Sequence, residues 1–253
     1  MGNIEYDEMF VPVFTGTNEV LYFGADTLLD LVDRDTLYKR YWKASRLKGD
    51  EYKRSVEEVF EPAFQGIKEE LLKDDILVPK ALYGVFNVYT DDTVLVFLDP
   101  ADTVKELIEF EFPRVERSSN RSFTDFFRPE ADVAGVQVVT IGPDIDRRAE
   151  EYFNQNKEYT QGFYMSGLAD YLTELLAERV TTEVRLALGV PKAQGKRFSF
   201  GYPGMPPVSE QRRLFEILAV EERLGISLTE KGQMVPEHST SALFTPHRSA
   251  HYL

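Results

Sequence analysis

The stretch ALYGVFNVYTDDTVLVFLD, residues 81–99, decides the fold class of this chain. Two runs rich in β-branched and aromatic residues flank the turn-forming segment YTDDT, which is the pattern of a β-hairpin. Two more runs of the same composition follow, LIEFEFP at 107–113 and VAGVQVVTIGP at 133–143. The four runs predict an antiparallel sheet.

Segments with helical periodicity lie before these strands. Residues 25–42 have helix-spaced apolar positions and aspartates that can cap helix starts. Residues 50–75 predict a long amphipathic helix, which Pro62 is expected to kink or split. Its predicted apolar face consists of Val56, Phe60, Phe64, Ile67 and Leu71.

More helices are predicted after the strands. They cover residues 144–156, residues 167–189 with Gly189 at the C-terminus, and residues 209–225 with a serine cap. The tail, 225–253, predicts short strands and turns without a clear period. No internal repeat or linker interrupts the pattern. We therefore predict an α+β fold, a single domain over residues 1–253 with a twisted antiparallel sheet and flanking helices.

Composition excludes several classes of function. The 253 residues carry a net charge of −14, which argues against nucleic acid as the main partner. With no cysteine, the chain has no disulfide, thiolate zinc site or iron–sulfur cluster. It has no apolar run long enough for a membrane span, and the opening MGNIEYDEMF lacks the regions of a signal peptide. A soluble, cytoplasmic protein is expected.

Searches for catalytic and metal motifs find no P-loop, dinucleotide-binding glycine motif, zinc-protease motif or nucleophile elbow. The three histidines, His238, His247 and His251, all lie within the tail. Isolated tail histidines are more often surface residues than metal ligands, so no metal site is predicted.

The helix predicted at 167–189 raises a question about buried charge. At about 100° per residue, Arg179 falls in one arc with Leu168, Leu172 and Leu175, and Glu178 lies at its edge. One interpretation is a structural salt bridge with a snorkelling arginine. The other is a carboxylate that is presented to a cationic ligand.

The stretch RFSFGYPGMPP, residues 197–207, is the part hardest to explain as packing. Its glycines and prolines exclude a regular helix and a central strand. It therefore predicts an irregular aromatic loop with one cation, Arg197, at its start.

Together with YLTELLAERV before it and SLTEKGQMVPEHSTSALFTPH after it, this loop resembles the reactivation domain of cobalamin-dependent methionine synthase. The resemblance extends over nearly the whole chain, and its C-terminal third carries the specific motifs. These are the R-x-x-x-G-Y-P loop, the ERV segment and the LTE…P…S-x-S tail, here Arg197, Gly201, Tyr202 and Pro203; Glu178, Arg179 and Val180; and Leu228, Thr229, Glu230, Pro236, Ser239 and Ser241.

The resemblance implies a binding site for S-adenosylmethionine. The positions that match the family's ligand contacts are Asp33, Glu178, Arg197, Ser199, Gly201, Tyr202, Phe244 and Thr245. Tyr202 is also the expected catalytic residue, at the boundary with the corrin. The chemistry is consistent, because Arg197 can bind the ligand's carboxylate while Asp33 and Glu178 balance its positive groups.

The chain departs from the family pattern in ways that bear on its partner. It reads GMPPV after GYP, where the synthase has an acidic residue and a histidine, and Phe244 with Thr245 stands where the synthase has two aromatics. It has no D-x-H-x-x-G segment, so cobalamin is expected from a separate corrinoid protein or core methionine synthase.

Three functions fit this resemblance. The first is a freestanding reactivation subunit, which regenerates methylcobalamin from cob(II)alamin with S-adenosylmethionine and a low-potential electron donor. The second is a non-catalytic S-adenosylmethionine-binding module or regulator. The third is a repurposed corrinoid methyltransferase subunit.

Overall fold

The predicted hairpin lies within an antiparallel sheet of the computed structural model, which describes residues 9–156 and 158–253. The first eight residues of MGNIEYDEMF lie outside the described part. The sheet order is β5-β4-β3-β6-β10-β7, with β1 and β2 also paired to β3, and β8 pairs with β9 separately. The strands are β1 Gly16–Thr17, β2 Leu21–Tyr22, β3 Lys80–Asp91, β4 Val94–Asp99, β5 Asp102–Glu111, β6 Asp132–Thr140, β7 Lys196–Phe198, β8 Ser227–Leu228, β9 Met234–Val235 and β10 Ser239–Thr245.

Helices cover both faces of this sheet. Helix α6 packs on β6 and is itself covered by α1, α4 and α5, while α7 and α8 contribute to the core on the other face. The helices are α1 Ala25–Asp30, α2 Arg34–Thr36, α3 Gly49–Ser55, α4 Glu61–Lys73, α5 Asp144–Glu151, α6 Tyr159–Leu188, α7 Gln211–Leu218 and α8 Val220–Leu224. The predicted α+β fold with an antiparallel sheet and flanking helices is confirmed.

Strand β6 lies between the helices on the two faces of the sheet and is buried along its whole length. Its side chains alternate between the faces of the sheet, as the pleat requires. Val136 and Val138 belong to the aromatic core on the α7 face. Gln137 faces α6 and donates from Nε2 to the carbonyl oxygen of Ala177 over 2.9 Å. Helix α6 is therefore held against the sheet by packing and by a buried hydrogen bond.

The predicted hairpin is confirmed, and the predicted split of the segment 50–75 lies a few residues before Pro62. Asp91 pairs with Val94 across a two-residue turn, in which Asp92 has the left-handed φ of 50° that such turns need. The segment 50–75 is interrupted by a π-helical turn, Val56–Phe60, which is followed by Pro62 in the first turn of α4. Four residues of its predicted apolar face, Phe60, Phe64, Ile67 and Leu71, are buried, and Val56 is half-buried.

Several helix boundaries differ from the predictions. Helix α6 begins at Tyr159 and not at Gly167. The segment 25–42 is broken after α1, because Asp33 accepts a hydrogen bond from the Thr36 amide and begins a new helix. The segment 209–225 forms two helices, since Ala219 adopts a left-handed φ of 50°.

The tail was predicted as short strands and turns, yet β10 is an internal strand of the sheet. It pairs with β6 on one side and β7 on the other. Its residues Ser241 to Thr245 are buried on both faces, so no alternation of polar and apolar residues marks it in the sequence.

The prediction that Arg179 lies on the apolar face of α6 is wrong. Its side chain is 49% exposed, and its Nη1 lies 2.9 Å from Oε1 of Glu183. The buried face is centred on Leu176 and Val180, about a quarter turn away. The reason is that α6 is covered by the sheet and by other helices, which shifts and widens its buried arc.

Within the described residues, no helix combines the length and the apolar character that a bilayer crossing requires.

Candidate functional site

An open cleft of about 550 Å³ lies beside the edge strand β7. Parts of the chain that are distant in sequence line it: the end of the π-helical segment Leu37–Tyr41, Arg117, one face of α6, β7 with the loop after it, and residues 252–253. The polar and aromatic side chains of its lining belong to Arg40, Tyr41, Arg117, Asp170, Glu174, Arg197, Phe198, Ser199, Tyr202 and Tyr252.

Arg197 enters the cleft because of its position in β7. This strand pairs with β10, and its Phe198 packs into the aromatic core. Neighbouring side chains on a strand point to opposite faces, so Arg197 points towards α6. Its side chain is 11% exposed, and its Nη2 lies 2.5 Å from Oε1 of Glu174. A nearly buried guanidinium needs such a partner, because an unpaired buried charge is costly.

Asp170 and Glu174 place two carboxylates in the same cleft. They are four residues apart on α6, a spacing that puts both on one side of the helix. Arg40 and Arg117 also line the cleft. A ligand that carries both a carboxylate and a cationic group finds a partner of each sign here.

Aromatic rings form the remaining walls. Tyr41 stacks on Tyr171 with ring centroids 4.8 Å apart and planes at 20°. Burial raises the pKa of Tyr41, so its phenol stays neutral. The ring of Tyr252 packs edge-on against Phe198, and the Lys196 ammonium lies 5.1 Å from its centroid. Such surfaces suit a planar heterocyclic ligand.

The loop after β7 presents Tyr202 to the cleft. Gly201 has a φ of +78°, and a Cβ there would lie 2.5 Å from Val208 Cγ2, so the turn requires glycine. The Gly201 amide donates to the Pro206 carbonyl over 2.8 Å, and the Met205 amide donates to the Tyr202 carbonyl over 2.9 Å. These two hydrogen bonds within the loop fix its backbone, while the Tyr202 side chain is 67% exposed.

The structure brings some of the predicted ligand-contacting residues together. Arg197, Ser199 and Tyr202 line the cleft, and Gly201 shapes its loop. Glu178 lies outside the cleft lining and pairs with Arg185 at 3.4 Å. The carboxylate beside Arg197 comes from Glu174, one helical turn earlier.

The other three predicted residues also lie outside the cleft lining. Asp33 caps α2, and its hydrogen bond from Thr36 lowers its pKa. Phe244 and Thr245 are buried in β10. Thr245 Oγ1 donates to the Phe126 carbonyl over 3.0 Å. Direct ligand contact by these three side chains stays a prediction.

Two tail histidines are buried and not at the surface as expected. His238 is 6% exposed and His247 is 4% exposed, since β10 and the segment after it pack inside the fold. In the part of the chain that the structure describes, no group of three or more histidine, aspartate or glutamate side chains is arranged to hold a metal ion.

A match to a protein-family model identifies the family of this chain. The model described as "Vitamin B12 dependent methionine synthase, activation domain" matches residues 35–253, a range that contains the whole cleft. The chain belongs to this activation-domain family. The resemblance inferred from the loop and tail motifs is confirmed.

Individual relatives of this activation-domain chain are methionine synthases, which is consistent with the family match. A methionine synthase of Mycobacterium tuberculosis (strain ATCC 25618 / H37Rv) is 29% identical over 277 residues, and the match covers 97% of this chain and 23% of that protein. The methionine synthase of Mycobacterium leprae (strain TN) is 26% identical, with the same coverage. The chain therefore spans about a quarter of the length of these relatives.

The fold of the activation domain is also found among solved structures. A MetH reactivation domain in a crystal structure with bound AdoHcy superposes with a TM-score of 0.82 at 24% identity. The match covers 99% of this chain and 85% of that one.

Sequence reasoning missed several cleft residues of this activation domain. The four-residue spacing of Asp170 and Glu174 was a usable signal, had the helix face been assigned correctly. Tyr41 and Tyr252 carried no such signal, because each reaches the cleft only through contacts with distant segments.

Proposed function

We propose that this chain binds S-adenosylmethionine in the cleft beside β7 and uses it to reactivate cobalamin carried by a partner. The observation that carries the proposal is the Arg197–Glu174 ion pair in an open cleft with aromatic walls. The similar MetH reactivation domain was solved with AdoHcy, which supports the same ligand class here.

The charges of the cleft suit the charges of this ligand. Arg197 would bind the carboxylate, while Glu174 and Asp170 would bind the ammonium and balance the sulfonium. Tyr41 and Tyr252 offer ring surfaces for adenine. The volume of about 550 Å³ lies within the usual range for sites of such ligands.

The protein's contribution to methyl transfer is positioning. After the electron donor has reduced the partner's cob(II)alamin by one electron, the methyl group of bound S-adenosylmethionine would pass to the corrinoid. Its bond to sulfur would break as the bond to cobalt forms, and S-adenosylhomocysteine would leave. The chain holds the donor in line for that transfer. Tyr202 is exposed at the cleft and is the side chain we assign to the boundary with the corrin.

A basic segment beside the cleft supports docking of a low-potential electron donor with an acidic surface. Residues 39–54 contain seven lysines and arginines and only two acidic residues, although the chain carries −14 overall. All seven basic residues are exposed, and Arg40 lines the cleft itself. Opposite charge there would speed the encounter.

Tyr202→Phe is expected to separate binding from chemistry. Affinity for S-adenosylmethionine should stay within about threefold of wild type, because the exposed ring is retained. Reductive methylation of the partner's cob(II)alamin should slow about tenfold or more, since the lost hydroxyl acts only in the reacting complex. Calorimetry and the visible spectrum of the corrinoid, with a low-potential chemical reductant, measure the two quantities.

The matched control is Tyr22→Phe, which removes the hydroxyl of an exposed tyrosine on β2, outside the cleft lining. It should change neither quantity. Equal methylation rates in wild type and Tyr202→Phe would remove the assigned role of Tyr202. Ligand binding without methylation of any corrinoid protein from the same host would favour the non-catalytic binding module.

A further inference from the structure

A buried histidine lies directly behind the cleft. His238, just before β10, is 6% exposed, and its Nδ1 is hydrogen-bonded to Oδ1 of Asp146 on α5. The other oxygen of Asp146 accepts the Glu237 amide over 2.6 Å. Both oxygens of Asp146 are therefore engaged, and the imidazole ring has a defined orientation.

The second ring nitrogen faces the cleft wall. Nε2 of His238 lies 3.6 Å from Oδ1 of Asp170. Asp170 lines the cleft, and its side chain is 64% exposed. Since the Nδ1 proton is held by Asp146, Nε2 is the nitrogen whose protonation changes, and that change occurs next to a cleft carboxylate.

We propose that His238 is a positioning residue that controls Asp170, so that its protonation state sets the affinity of the cleft for a ligand with a cationic group. This inference rests on the proposed function, because that function supplies such a ligand. When Nε2 is protonated, the imidazolium draws the Asp170 carboxylate back and neutralises it. When Nε2 is deprotonated, Asp170 is free to bind the ligand's cation.

The surroundings of His238 favour its charged form. Burial alone lowers its pKa, but the Asp146 hydrogen bond and the charges of Asp146, Asp170 and Glu237 outweigh burial and raise the pKa above 6.5. These carboxylates come from α5, α6 and the approach to β10 itself. Strand β6 brings Thr140 and then Ile141 to this end of β10, and neither side chain ionises.

The sign of the effect follows from these charges. Below the raised pKa of His238 the imidazolium competes with the ligand's cation for Asp170, so binding is weaker. As pH rises through that pKa, affinity should increase about three- to fivefold, the scale of a partly exposed ion pair. Linkage is reciprocal, so bound ligand must lower the pKa of His238 and displace a proton.

The experiment measures S-adenosylmethionine affinity by calorimetry from pH 6 to 9 and the His238 imidazole titration by NMR. Wild type is compared with Asp170→Asn, which alters an exposed side chain, and with His238→Gln. Titration of the ligand itself is common to all of these proteins and cancels in their affinity ratios. The exposed His251 provides the control variant His251→Gln, whose profile should match wild type.

The affinity ratio of wild type to Asp170→Asn should change with pH. The affinity ratio of Asp170→Asn to His238→Gln should not change with pH. The pKa of His238 should be lower in the wild-type complex with ligand than in the free protein. Affinity ratios that do not change with pH, or a His238 pKa unaffected by ligand, would overturn the inference while leaving the proposed function intact. Absence of any binding by wild type would overturn both.

Discussion

Arg197→Ala should weaken S-adenosylmethionine binding by roughly 2–3 kcal/mol, about 30- to 160-fold. The substitution removes the only cation of the R-x-x-x-G-Y-P loop and leaves Glu174 without its 2.5 Å partner. The ligand then loses its carboxylate partner and meets an unbalanced negative charge. Calorimetry on the folded variant at constant pH and ionic strength measures the loss.

The matched control for this prediction is Arg179→Ala. It removes the same charge from an exposed ion pair on α6, outside the cleft lining. Surface pairs of this kind are worth about 1 kcal/mol or less, so the ligand affinity should hardly change. Equal losses in the two variants would mean that net charge governs affinity, and the assignment of Arg197 would then be wrong.

Gly135→Ala should destabilise the fold by about 2–3 kcal/mol, at the upper end of the usual cost of overpacking a core. Gly135 lies in β6 under helix α6, where a Cβ would come within 2.3 Å of Val184 Cγ1 and 3.2 Å of Phe244 Cβ. These atoms belong to a buried cluster with little room to move. Urea unfolding of both proteins measures the difference in the free energy of unfolding.

Two further variants isolate the cause. Gly66→Ala places the same methyl group on α4 with nothing within 4 Å, so it should stabilise by about 0.5–1 kcal/mol. Adding Val184→Ala to Gly135→Ala removes the side-chain atoms that the new methyl group meets. The double variant should therefore be more stable than the sum of the two single changes predicts, a non-additive result expected of contacting residues. If the double variant were less stable than the sum of the single changes, the steric explanation would fail.

Local patterns in the sequence were sufficient for the hairpin and the antiparallel strands around it, although not for β10. The enrichment of β-branched and aromatic residues on both sides of YTDDT is a feature of a few neighbouring positions, and β3 and β4 form there. The same holds for the end of α6 at Gly189, which has a left-handed φ of 70°. Breaks such as Ala219 carried no local signal, because tertiary packing imposes them.

The residues of the candidate site were also predictable from the sequence only in part. The loop chemistry and the family motif identified Arg197, Ser199 and Tyr202, all of which line the cleft. Glu178 was expected to balance the ligand's positive groups, whereas the carboxylate that faces Arg197 in the cleft belongs to Glu174. That choice depends on how far α6 is rotated about its axis, and layers from distant parts of the chain set this rotation.

The sequence by itself determined the α+β class, the strands of the hairpin and the loop that supplies the cleft's arginine, since these follow from local periodicity and backbone restrictions. Only the tertiary structure decided that Tyr41 and Tyr252 share one cleft and that His238 lies between Asp146 and Asp170. The histidine and Asp146 are 92 residues apart. Pairings over such separations depend on the sheet register and on the packing of helices against it, which no local pattern encodes.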